Sequence, residues 1–98
     1  METGADYMKQ FVRALKALSD DTRLKIFKLI VDKPDICVCE IMEVLRMTQT
    51  RVSRNLAILK NAELVEPRRD GHWIHYSIIK SNPSTVEIIM AVKKHVKI

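Results

Sequence analysis

Two cysteines, Cys37 and Cys39, stand one residue apart, and the chain contains no others. Thiolates are soft ligands, suited to As(III), Sb(III), Cd(II) or Pb(II). A position near a helix start adds to this, because unpaired backbone N–H groups there favour negative charge on sulfur. In a reducing cytosol the pair is expected as free thiols, metal ligands or a redox switch rather than as a structural disulfide. On an intact α-helix, residues i and i+2 point about 200° apart. Spacing alone therefore predicts that both sulfurs grip one ion only if that turn of helix distorts.

A second set of residues follows at once. Between Arg46 and Asn61 the charged residues are Arg46, Arg51, Arg54 and Lys60, with no acid among them. The chain has a net charge of +5, so much of its positive charge gathers on one stretch suited to a polyanion. Gln49, Thr50, Ser53, Arg54 and Asn55 bring donors, acceptors and a methyl group. Glutamine and asparagine suit adenine, arginine suits guanine, and the threonine methyl suits thymine. Arg51, with Arg68, Arg69 and His72 further on, is read as a contact to phosphate or the minor groove.

These residues need elements to hold them. Tyr7, Phe11, Leu15 and Leu18 recur at helical spacing and predict an amphipathic helix over residues 6–18. Ser19, Asp20 and Asp21 supply capping groups for a second helix that is apolar nearly all round, hence central, and ends at Lys33-Pro34-Asp35. A short helix from Val38 to Arg46, the turn Met47-Thr48 and a helix to Asn61 form a helix-turn-helix over residues 38–61. Val52, Leu56 and Leu59 face its core. Two strand-like runs flank Asp70-Gly71, whose residues both tolerate positive φ, and predict a hairpin wing over residues 64–79. Ser84 and Glu87 fit a capping box that opens a last helix over residues 84–97. The expected fold is mainly α with a β-hairpin wing, in the order α/α/α/α/β/β/α. It is read as one winged helix-turn-helix domain over residues 1–98, dimerising through its terminal helices. Trp73 and Tyr76 are assigned to hairpin packing, and Met42 and Met47 to core filling. His72 and His75 fall on opposite faces of a strand and are not read as metal ligands, and His95 is read as satisfied or exposed.

From Leu18-Ser19-Asp20-Asp21-Thr22-Arg23 to Ile79 the chain resembles the ArsR family of metal- and metalloid-responsive repressors, and within it the arsenical-resistance repressors. The resemblance is carried by Cys37-Val38-Cys39-Glu40-Ile41, Thr48-Gln49, Val52-Ser53-Arg54-Asn55-Leu56 and Arg68-Arg69-Asp70-Gly71-His72-Trp73-Ile74-His75-Tyr76. It implies a homodimeric repressor that leaves double-stranded operator DNA when its inducer binds. It also implies that Cys37 and Cys39 hold trivalent arsenic or antimony, or another thiophilic metal such as lead or cadmium. Three positions depart from the family pattern. Met42 stands where a further cysteine is frequent, Asn55 where histidine is frequent, and Glu63 where glycine is frequent.

Other classes are weaker. No apolar run reaches the roughly 18–20 residues that span a bilayer, and M-E-T-G-A-D lacks a signal-peptide pattern, so a cytoplasmic protein with no membrane partner is expected. With no phosphate-binding glycine loop and no nucleophile beside an identifiable base, the chain is not read as an enzyme. Two alternatives remain. One is a winged-helix repressor that senses thiol redox state, weakened because disulfides between cysteines one residue apart are strained. The other is a winged-helix protein-interaction module with no metal ligand.

Overall fold

A computed structural model describes residues 4–98, so the first part of the M-E-T-G-A-D reading lies outside the described residues. Helix α1 spans Gly4–Leu18 and α2 spans Asp21–Asp32. Asp20 caps α2, its Oδ2 accepting from the Arg23 backbone N–H at 3.0 Å, which satisfies one of the orphan donors of the first turn. Ile26, Phe27 and Ile30 of α2 are buried, as a helix apolar on most sides requires. Beyond Lys33 and Pro34, Asp35 takes a left-handed φ of 64° and turns the chain into β1, the two residues Ile36–Cys37.

Helix α3 (Val38–Leu45) ends on Arg46 in the left-handed region, and α4 (Gln49–Asn61) begins three residues after it. Thr48 caps α4 through Oγ1, which accepts from the Arg51 N–H at 3.2 Å. Val52, Leu56 and Leu59 are fully buried against Ile41, Leu64 and Val65 in the core around α2. The end of α4 closes as a Schellman motif. The Leu64 N–H donates to the Leu59 carbonyl and the Glu63 N–H to the Lys60 carbonyl, with Glu63 at φ 61°. That conformation explains the family's frequent glycine here, and glutamate adopts it without altering the turn.

The wing consists of β2 (Val65–Asp70) and β3 (Trp73–Ile78), paired antiparallel with Asp70 opposite Trp73. This register corrects the turn position. The two residues between the strands are Gly71 and His72, and Gly71 takes the positive φ of 60° at the first of them, the place a glycine-first primed turn requires. The sheet also has a strand that hydrophobic patterning did not reveal. β1 adds to the free side of β3, giving the order β1-β3-β2, with Ile36 opposite Tyr76 and Cys37 opposite His75. Two residues are too few to show an alternation in sequence.

Helix α5 spans Thr85–His95. The expected capping box is absent here, since Ser84 makes no side-chain cap. Instead Asn82 Oδ1 accepts from both the N–H and the hydroxyl of Ser84, at 3.1 and 2.9 Å, and Thr85 Oγ1 donates to the Ile79 carbonyl. Asparagine, with its short acceptor arm, captures the turn before serine does. Thr85, Ile88 and Val92 bury one face of α5. On α1 only Ala14, Ala17 and Leu18 are buried, and Tyr7, Met8, Phe11, Val12 and Leu15 are exposed, as are Val86 and Met90 on α5. No helix among the described residues is long and apolar enough to cross a membrane.

Candidate thiolate site and nucleic-acid interface

Cys37 is not in the helix. It is the N-cap of α3, in extended backbone at φ −73° and ψ 142°, and Cys39 lies in the first turn. The Cys37 Sγ folds over the helix end and accepts from the Cys39 N–H at 3.2 Å. The expected divergence of the two side chains, about 200° on an intact helix, is therefore absent, because only Cys39 is helical. The Cα atoms are 5.2 Å apart and the sulfurs meet as a disulfide with α3 intact, where free thiols were expected. That separation lies within the ordinary range for bridged cysteines. Convergence on one point requires no unwinding.

Glu40 completes a capping box. Its carboxyl is held below the usual range first by Lys33, whose Nζ donates to it, and also by a hydrogen bond from the Cys37 backbone. Both ends of the box thus depend on Cys37. Cys37 is buried, whereas Cys39 is exposed, so the pair has one face in the protein and one toward solvent. The fold brings no third ligand to them: among the described residues no group of three or more His, Cys, Asp or Glu side chains could hold a metal ion. Two thiolates are what one subunit supplies, which suits a trivalent arsenic or antimony bearing one further group better than a four-coordinate ion.

The sulfurs open onto a cleft of about 350 Å³. Its inner lining is Cys37, Val38, Met42, Ile74 and Tyr76. Its outer lining is Cys39, Gln49, Ser53, His72 and Trp73. Burial raises the pKa of the Tyr76 phenol. Gln49 and Ser53 come from the exposed side of α4, and His72 and Trp73 from the wing tip. The cysteine pair, α4 and the wing therefore share one space. Sequence reasoning left Met42, Trp73 and Tyr76 out of the site, because a cleft between two elements leaves no periodic mark on either.

The other predicted contact residues separate into two groups. Gln49, Thr50, Arg51, Ser53, Arg54, Arg69 and His72 are exposed, and their side chains have no hydrogen bond or ion pair among the described residues. Asn55 and Arg68 differ. Asn55 Nδ2 donates to the Arg51 carbonyl at 2.9 Å, and its Oδ1 faces Arg23 Nη1 at 3.5 Å, while Arg23 Nε donates to the Ala17 carbonyl. Asn55 thus ties α4 to α2. Arg68 forks onto Asp35, Nε to Oδ1 at 3.0 Å and Nη2 to Oδ2 at 2.6 Å. The guanidinium holds the Asp35 carboxyl below its ordinary value of 3.8. His75 Nδ1 meets the Asp35 carbonyl at 2.9 Å; a carbonyl only accepts, so the proton lies on Nδ1. The wing is pinned in two places to the loop that leads into Cys37.

Residues 20–67 match the profile of the bacterial regulatory proteins of the arsR family. The chain is 38% identical over 77 residues to the arsenic resistance transcriptional regulator ArsR2 of Pseudomonas putida, covering 79% of this chain and 67% of that protein. It is 34% identical over 73 residues to the arsenical resistance operon repressor of Escherichia coli, covering 74% of this chain and 62% of that one. The chain spans about three-fifths of the length of the first curated relatives it matches. Among solved structures it is similar to a homodimeric winged helix-turn-helix DNA-binding domain from Mycobacterium bovis, with a TM-score of 0.79, 29% identity and coverage of 95% of this chain and 85% of that one.

Proposed function

The chain belongs to the arsR family of bacterial regulatory proteins, and we propose that it is a transcriptional repressor whose Cys37 and Cys39, when they bind trivalent arsenic or antimony or another thiophilic metal, release it from operator DNA. The observation that carries this reading is the shared cleft, in which the two sulfurs, Gln49 and Ser53 of α4, and His72 and Trp73 of the wing line one cavity. A ligand held by the sulfurs sits against the DNA-reading side of the molecule, and its effect need not travel through the core.

Residues 4–98 act in this reading as one winged helix-turn-helix unit. α1 and α5 pair two copies through the apolar side chains they leave exposed; the similar Mycobacterium bovis domain is itself homodimeric. Two copies of α4 then meet successive major grooves about 34 Å apart. Gln49, Thr50, Ser53 and Arg54 read base edges, and Arg51, Arg69 and His72 hold phosphates. Arg68 and Asn55 serve the same end indirectly, by fixing the wing and α4. As a regulator acting by binding, the protein needs no catalytic residue, and cytoplasmic DNA is its place of action.

The disulfide favours a second reading, in which the same two thiols sense oxidation. Hydrogen peroxide would take two electrons and two protons from them, leaving the Cys37–Cys39 bond and two waters; an organic peroxide would leave one alcohol and one water. Labelled operator DNA and reduced protein separate the two readings: release by arsenite without peroxide supports the metalloid sensor, and release by peroxide alone supports the redox sensor.

A further inference from the structure

We infer that the ligand of this site is an organoarsenical, R–As(III), whose two exchangeable valences go to Cys37 and Cys39 while R occupies the cleft beside them; this rests on the metalloid reading above. Trivalent arsenic forms three bonds; the chain supplies two thiols, and among the described residues no third His, Cys, Asp or Glu side chain is gathered with them into a metal-holding group, His72 lying in the outer lining of the cleft. Whatever fills the third valence faces the cleft. The less exposed lining there, apart from the cysteine, is Val38, Met42, Ile74 and Tyr76, with Trp73 at the rim. A hydroxide, the third group of bound arsenite, gains little against such a wall and loses water in approaching it. A methyl or phenyl group gains contact with the thioether and the rings.

Size agrees. A cavity of roughly 150 Å³ holds benzene, so a cleft of about 350 Å³ takes an aryl group and leaves room at its mouth. The reaction balances simply. R–As(OH)₂ and two thiols give R–As(S)₂ and two waters, arsenic stays trivalent, and the As–C bond is untouched. Where the cysteines are joined as a disulfide, a cellular dithiol must first reduce them. The substituent then lies between α4 and the wing tip, so the same group that confers selectivity also intrudes on the space beside Gln49 and Ser53.

Native mass spectrometry of the phosphine-reduced full chain tests this, with phenylarsine oxide and arsenite competing for the protein. The expected result is one phenylarsenic per subunit and at least about a tenfold preference over arsenite, falling to within about threefold in Trp73→Ala, whose side chain is exposed and not part of the core. Met42→Ala provides a second probe of the same cleft and should narrow the preference likewise. Arsenite binding as well as phenylarsine oxide would overturn the inference and leave the metalloid reading standing. A preference unchanged in both variants would also overturn it, since selectivity would then come from dithiol chemistry alone. If neither arsenical binds, the metalloid reading fails with it.

Discussion

Arg68 of the wing grips Asp35 with two parallel hydrogen bonds, 3.0 and 2.6 Å long, two residues before Cys37. A bidentate arginine–carboxylate pair fixes direction as well as distance. Because both partners are exposed, its worth lies in orienting the wing rather than in stability. Arg69, the next residue, is exposed and has no such partner among the described residues.

Neighbouring arginines should therefore behave differently. Arg69→Ala is expected to weaken DNA binding across sequences and to lower the slope of log K against log salt by about 1 per subunit. Arg68→Ala should weaken binding through a looser wing and leave that slope nearly unchanged. Anisotropy titrations at several salt concentrations measure both.

The same pair sets a pH dependence. Asp35 has a lowered folded pKa, so the pair is fully formed above the ordinary carboxylate value of 3.8 and is lost only as the pH falls through the lower folded value. Wing anchoring is thus constant around neutrality. An NMR titration of the Asp35 carboxyl should give a midpoint below 3.8, and Arg68→Ala should raise it toward that value.

Glu63 stands at φ 61° in the closing turn of α4. A residue with a Cβ in that region costs about 1 kcal/mol or more relative to glycine, and glycine returns part of this as unfolded-state entropy. Glu63→Gly should stabilise the fold by about 0.5–1 kcal/mol, even though it removes the contact with Gln10. Thermal melts would show it as a rise of a few degrees.

Much of this arrangement was legible in the chain. Periodicity located all five helices, with capping residues correctly marking the starts of α2 and α4, and the exposed side of α4 emerged with Gln49, Thr50, Ser53 and Arg54 on it. What was not legible depended on pairing across long separations. β1 exists only because β3 lies beside it, and Arg68 is engaged within the protein only because Asp35 is folded against it. The cysteine geometry was misjudged for a local reason. The helix starts at Val38 as expected, yet the divergence of residues i and i+2 holds only when both are helical; Cys37, as the residue before the first turn, is a cap that folds over Cys39.

That boundary yields a prediction opposite to the spacing argument. Ligation should leave α3 helical, since the sulfurs already converge at its N-terminus. Backbone chemical shifts of residues 40–45 should stay helical when arsenical is added to reduced protein. Perturbations should gather at residues 36–39 and around the cleft, at Gln49, Ser53 and residues 72–76.

The central claim is that Cys37 and Cys39 are the sensor beside the DNA-reading surface, and serine substitution tests it with little structural cost. Serine is itself a good N-cap, so Cys37→Ser removes the thiol and keeps the cap, and Cys39 is exposed. The decisive measurement is the anisotropy of labelled operator DNA bound to reduced wild type, Cys37→Ser and Cys39→Ser while arsenite or phenylarsine oxide is titrated in. The account predicts that wild type releases the DNA and that both variants bind it as tightly as wild type and remain bound. Equal release from wild type and variants, or no release from wild type, would contradict it.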